Sequence, residues 1–230
     1  MSESKNFEIK IVFDNNCLEG FKKGWGFGAI ILNNHSKKTI LFDTGANFNR
    51  LAYNIDQFNV KLEDISKVII THDHPDHSGG LLKLLEKNPN VEVYVADSNK
   101  EAYTRIVPSG VKVIGVKNMI EIDENFLISN ELKSADKDPI PEICAFLKVD
   151  GEIVVITGCA HPDLGHFVED AKKLGHVKAV IGGFHRSRML DSLEEVDLIA
   201  PCHCTQRVDK IKEMYPDSFV EIKAGSELSF

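Results

Sequence analysis

The chain has 230 residues, 43% of them hydrophobic, and a formal net charge of −8. That length and apolar share suit one domain over residues 1–230 with a sizeable core, and the acidic balance argues against a general nucleic-acid binder, which needs a basic footprint on phosphates. No run of eighteen apolar residues offers a membrane span, the start Met1–Lys5 has no apolar leader, and five cysteines fit no disulfide scaffold, so a cytoplasmic setting without a membrane partner is expected.

In chain order, Phe7 to Phe13 alternates as a first strand, Cys17 to Gly24 reads as a loop, and Gly26 to Leu32 as a second strand. Trp25, beside two glycines, either lines a substrate cleft or packs in a core or loop. His35 falls in the turn Asn33–Ser36 and reads as a surface residue. Lys38 to Phe42 is a third strand ending in Asp43-Thr44-Gly45. Phe48, Leu51, Ala52, Ile55 and Phe58 repeat at helical spacing, so Asn47 to Phe58 is an amphipathic helix.

Val68-Ile69-Ile70 reads as a buried strand, and Leu81, Leu82, Leu84 and Leu85 as one face of a helix. Val91–Val95, Val111–Val116 and Phe126–Ser129 are further strands, with a helix capped by Asp97 or Ser98 and running towards Ile106. The polar loop Ser134–Pro141 could lie over a site. Asp150-Gly151 between Ile143–Val149 and Glu152–Thr157 is a hairpin signal. Leu164–Leu174 is helical, Val177–Ile181 and Val196–Ala200 are strands, Thr205 caps a helix to Met214, and Phe219–Ile222 is the last strand. Strands alternating with helices give an α/β chain.

Between the Val68 strand and the Leu81 helix lies Thr71-His72-Asp73-His74-Pro75-Asp76-His77-Ser78, with three histidines and two aspartates in six residues. His72 and His74 can point to one side, with Asp76 and His77 one turn later. Imidazole and carboxylate together suit zinc, iron or manganese. His161, His185 and His203 each also follow a predicted strand, and strand ends can meet at one sheet edge. Asp43, at another strand end, reads either as a turn aspartate or as an acceptor for the spare N–H of a ligating histidine.

The spacing His-x-His-x-Asp-His, after an apolar strand and opening a helix, resembles the signature of the metallo-β-lactamase superfamily. The resemblance implies an αββα sandwich, which periodicity alone does not give. It also implies one or two divalent ions. The first would be held by His72, His74 and His161, the second by Asp76, His77 and His203. Where relatives often read Thr-Gly-Asp with an aspartate bridging the metals, this chain reads Thr157-Gly158-Cys159. Cys159 is therefore a candidate thiolate ligand, or His161 takes that role. Thr157–His161, Gly182–His185 and His203–Thr205 are similar to a subgroup of metal-dependent hydrolases and dihydropterin-methyl ribofuranosyl-aminobenzene-phosphate synthases.

The resemblance implies metal-assisted hydrolysis of a small, anionic ester or phosphate compound, with Asp76 ligating a metal and orienting the nucleophile. His185 could be a ligand, a proton donor to a leaving group, or a loop histidine; Gly182-Gly183 before it would let backbone approach a ligand. Arg186 and Arg188 either hold a substrate phosphate or carboxylate or are surface arginines. His166 and His176 read as surface residues, Cys202 and Cys204 as core or support for His203, and Cys17 and Cys144 as small hydrophobes. The alternatives are an iron-dependent redox enzyme on the same scaffold, acting on oxygen or persulfides, and a non-catalytic metal module. A ribonuclease is disfavoured by the acidic charge. The substrate and oligomeric state are not legible.

Overall fold

The computed structural model describes residues 6–230. It divides into two compact units: residues 6–115 together with Lys223–Phe230, and Val116–Ile222.

The first unit runs β1 (Phe7–Phe13), β2 (Gly28–Asn33), β3 (Lys38–Phe42), α1 (Phe48–Gln57), β4 (Ile65–Ile70), α2 (Pro75–Ser78), α3 (Leu81–Lys87), β5 (Glu92–Ala96), α4 (Lys100–Ile106) and β6 (Lys112–Val116). The strands form one mixed sheet in the order β1 to β6, with the C-terminal strand Glu227–Ser229 paired to the outer edge of β1. β1 to β3 are an antiparallel meander, and β3, β4 and β5 run parallel. Parallel strands need crossovers, which α1 and α3 supply. Asn47 caps α1 by accepting the Arg50 N–H, and Leu51 and Ile55 put its apolar stripe into the core with Leu81, Leu84 and Leu85 of α3. The helix expected to follow the histidine motif is broken in two, a single turn at Pro75–Ser78 and then α3. Gly79 and Gly80 lie at the break, and a side chain on either would strike the backbone of Thr44 to Ala46.

The second unit contains β7 (Ile120–Asp123), β8 (Phe126–Ile128), β9 (Leu132–Lys133), β10 (Pro141–Glu142), β11 (Ala145–Val149), β12 (Glu152–Thr157), α5 (Leu164–Lys172), β13 (His176–Gly183), β14 (Leu198–Cys202) and α6 (Val208–Met214). Its main sheet has the order β14-β13-β12-β11-β8-β7, and β9 and β10 form a small ribbon. The β11–β12 hairpin turns on Asp150 (φ 52°) and Gly151 (φ 85°), both left-handed as a tight two-residue turn requires. β12, β13 and β14 run parallel, so their C-terminal ends lie on the same side of this sheet. Phe146, Val155, Phe167, Val180 and Ile199 are among the buried residues of its core.

Three local expectations change. Neither Asp97 nor Ser98 is the N-cap of α4, which is Asn99. Phe219–Ile222 makes only an isolated bridge, Phe219 to Ile199, and the last strand is Glu227–Ser229. Thr205 does not cap α6, which starts at Val208; its hydroxyl donates to the Cys202 carbonyl and accepts the Phe184 N–H, tying the ends of β14 and β13 together. No helix among the described residues is long and apolar enough to cross a membrane.

Glu92 on β5 joins three strands. Its carboxylate accepts from Lys112 of β6 (2.6 Å), the Tyr94 hydroxyl (2.8 Å) and Lys67 of β4 (3.1 Å). These partners, Lys112 foremost, lower its pKa from 4.5 to about 2. A carboxyl depressed on folding stabilises above its unfolded pKa and loses that stabilisation as pH falls through the folded value. Glu92→Gln should therefore cost about 1 kcal/mol at pH 7, discounted for solvent screening. In urea titrations the difference from the parent should shrink from pH about 4.5 towards about 2.

Candidate metal centre

In the first unit the motif Thr71–Ser78 leaves the end of β4 beside the end of β3, and Asp43 at that second end organises it. Asp43 is fully buried and left-handed, at φ 56°. Its carboxylate accepts the Thr71 backbone N–H (2.8 Å), the Thr71 hydroxyl (2.9 Å) and His77 Nδ1 (2.7 Å). Three donors offset the burial of the charge. Because the Thr71 hydroxyl spends its proton on Asp43, it accepts from His72 Nδ1 at 2.9 Å. Both imidazoles thus carry their proton on Nδ1 and present the Nε2 lone pair, an assignment that follows from the hydrogen-bond network.

Those lone pairs face other donor atoms. His72 Nε2 lies 3.1 Å from His74 Nδ1, and His77 Nε2 lies 3.7 Å from Asp76 Oδ2. The His72 ring sits 4.6 Å from that of His74 and 4.2 Å from that of His77, centroid to centroid. Burial, the largest influence, pushes the pKa of His74 below 6.5; Asp76 opposes this and His77 adds to it. Neutral imidazole is the form that ligates metals. Three imidazoles and one carboxylate, with tautomers set to offer lone pairs, fit a divalent cation. His72, His74, Asp76 and His77 are the residues of this unit that would hold it.

The surroundings keep the motif in place. Thr44 donates through its N–H and its hydroxyl to the His77 carbonyl (2.7 and 2.9 Å), and the Tyr103 hydroxyl donates to Asp73 (3.0 Å). Gly26, at φ 134°, lies so close that an added Cβ would come within 2.1 Å of the Asp76 carbonyl. Trp25, next to it, is 62% exposed, which rules out packing in a core.

In the second unit the ends of β12, β13 and β14 carry Cys159, His161, His185 and His203. The buried carboxylate of Glu142 receives three successive backbone N–H groups, from Cys159 (2.8 Å), Ala160 (2.8 Å) and His161 (2.7 Å). This clamp sets the turn after β12, with Ala160 left-handed at φ 58°. Cys159 Sγ, a His203 ring nitrogen and Cys204 Sγ lie within 4.8 Å of one another, a second donor set of mixed imidazole and thiol. The His161 and His185 rings lie tilted against each other, centroids 4.6 Å apart. His185 and His203 are themselves left-handed, at φ 39° and 50°.

Gly182-Gly183 makes a close approach within the sheet. A Cβ on Gly182 would meet the Thr157 carbonyl at 2.1 Å, and one on Gly183 the Gly158 carbonyl at 2.2 Å. The glycines let β13 lie against the end of β12. Arg186 and Arg188 are exposed on the loop after β13. His35, His166 and His176 are surface residues, and Cys144 is buried, where desolvation pushes its thiol pKa up.

Sequence reading missed Thr71, Tyr103, Glu142 and Asp163. Glu142 left a signal in being a lone acid within the apolar run Ile140–Phe146. Asp163 caps α5 by accepting the Gly165 N–H. It also accepts from the Ser187 hydroxyl (2.5 Å) and the backbone N–H of Arg188 (2.9 Å) and Met189 (3.4 Å). Burial raises its pKa, but these hydrogen bonds outweigh that and hold it below 3.8.

Glu142→Ala strips three N–H groups of their acceptor and leaves a cavity at a fully buried position. It should destabilise the chain by about 3 kcal/mol or more, read as a lower denaturation midpoint in urea.

Residues 24–183 match the model of the metallo-beta-lactamase superfamily. The chain is similar to the 7,8-dihydropterin-6-methyl-4-(beta-D-ribofuranosyl)-aminobenzene-5'-phosphate synthase of Methanocaldococcus jannaschii, 23% identical over 90% of each chain. It is 27% identical to a metal-dependent hydrolase of Sulfolobus acidocaldarius, over 81% of this chain and 84% of that one. Its fold superposes on the crystal structure of Tm1679, described as a metal-dependent hydrolase of the beta-lactamase superfamily. The TM-score is 0.73 at 22% identity, covering 97% of this chain and 99% of that one. Two mixed sheets flanked by helices are the α/β fold of that family. The chain belongs to the metallo-beta-lactamase superfamily.

Proposed function

We propose that the protein hydrolyses a small ester or phosphate compound with the help of one or two divalent cations, zinc foremost. The observation that carries this reading is the pair of hydrogen bonds at Nδ1 of His72 and His77. Asp43 and Thr71 take up both Nδ1 protons, so that Nε2 of each ring is an electron-pair donor beside His74 and Asp76. Imidazole-rich sets with a carboxylate, and a further imidazole–thiol set in the second unit, suit a borderline ion better than magnesium or calcium. An ion held there would make water acidic enough to supply hydroxide near neutral pH and would polarise the bond to be cleaved.

The chain's own residues do the rest. Asp76, partly exposed, accepts a hydrogen bond from the attacking water and orients it. In the second unit, taken by itself, His185 is the group that would protonate a leaving oxygen; hydrolysis consumes one water and releases an alcohol and an acid. The synthase similar to this chain carries a phosphate compound in its name, which favours the phosphate arm.

The test is chelation and replacement. Removing metal should abolish hydrolysis of phosphate and carboxylate ester probes, and adding back zinc, manganese or iron should restore it. His74→Ala should lower kcat/KM by about a hundredfold or more. Full activity in a metal-replete His74→Ala protein would contradict the reading. So would activity that needs iron and an electron donor, with an iron absorbance spectrum.

A further inference from the structure

The second unit holds a cavity of about 300 Å³ lined by His161, His185, Asp163, Arg186, Ser187 and Arg188, among others. From these residues we infer that Arg186 and Arg188 form a subsite for a dianionic phosphate monoester group, with Asp163 as the positioning residue that shapes the arginine loop. The inference rests on the hydrolase reading for what happens to that group, not for its binding.

The first support is the state of the two guanidinium groups. In an acidic chain rich in ion pairs, neither has a hydrogen-bond or ion-pair partner among the described residues, although both line the cavity. An arginine fork matches phosphate oxygens two at a time, and two such forks match a dianion better than a carboxylate.

The second support is how the loop is built. Four hydrogen bonds converge on Asp163. The Gly165 N–H fixes it to the start of α5, while Ser187, Arg188 and Met189 fix the arginine loop to it. Asp163 adopts φ 94°, outside the usual range for a side-chain-bearing residue, to make both sets of contacts. The Gln206 N–H holds the His185 carbonyl (3.0 Å), and the Ser187 N–H the Phe184 carbonyl (2.9 Å). The loop is thus ordered at both ends before any ligand arrives, which reduces the entropy cost of binding. Asp163 spends its charge on these donors, so it competes little for the arginines. Asp136 is the other carboxylate in the lining; it is exposed, on the β9–β10 loop.

The third support is that the same cavity is lined by His161 and His185, whose rings meet at a tilt at the ends of β12 and β13. A phosphate gripped by the arginines would rest against imidazoles. Hydrolysis there forms one bond from water oxygen to phosphorus and breaks the ester P–O bond. The leaving oxygen takes a proton from His185 and departs as an alcohol.

Calorimetric titration of the full-length protein with inorganic phosphate and with acetate tests this, in metal-loaded and chelated samples. Phosphate should bind in both samples and more tightly than acetate. Arg186→Met/Arg188→Met, whose side chains are exposed and should not affect the melting temperature, should weaken phosphate binding at least tenfold in both while leaving acetate unchanged. Asp163→Asn should weaken it in the same direction, and kcat/KM should fall for a phosphate monoester but not for a neutral ester. Phosphate affinity within twofold of the parent in the double variant, or equal binding of acetate, would overturn the subsite. Arginine-dependent phosphate binding without any metal-dependent hydrolysis would leave the subsite standing and remove the hydrolase reading instead.

Discussion

A single buried carboxylate governs the chemistry of the first unit. Asp43 has no access to solvent, and three donors, two from Thr71 and one from His77, satisfy its carboxylate. That arrangement decides where two imidazole protons sit. Without it, either ring could turn its N–H towards its neighbours and cease to be a ligand. The left-handed backbone at Asp43 is the cost, about 1–2 kcal/mol for a residue with a Cβ. It aims the carboxylate across the ends of β3 and β4.

The second unit repeats the device with different groups. Glu142 gathers three successive N–H groups at the end of β12, as Asp43 gathers Thr71 and His77. Asp163 does the same for the loop after β13. In each case a carboxylate replaces regular backbone pairing at a strand end, and unusual backbone follows: Asp43, Ala160, Asp163, His185 and His203 all have positive φ. Strain of this kind persists where surrounding contacts over-determine it, and it concentrates on the residues that carry chemistry.

Much of this was legible beforehand, and the reasons differ by element. Lys38–Phe42 and Phe7–Phe13 were readable to the residue because apolar alternation between turn residues has few alternatives. Asp150-Gly151 announced its hairpin because few other pairs accept two left-handed residues. The motif His72–His77 was visible because its donors are adjacent in sequence. Glu142, Asp163 and Thr71 were hidden because their partners are distant strands or backbone N–H groups, which leave no mark on spacing. Phe219–Ile222 has the composition of a strand, yet Glu227–Ser229 takes the sheet edge, a choice made by tertiary pairing. Gly182-Gly183 signalled a close approach, but only the packed strands show that the approaching group is backbone.

The dependence of the imidazoles on Asp43 is open to direct measurement. Competition titration with a chromophoric chelator would give the zinc affinity of the protein and of Asp43→Asn, with circular dichroism to establish that both are folded. An amide can still accept one hydrogen bond but no longer holds charge against His77 and Thr71. The account predicts that the variant stays folded and binds zinc about 10–100-fold more weakly. Equal affinity in the two folded proteins would contradict it.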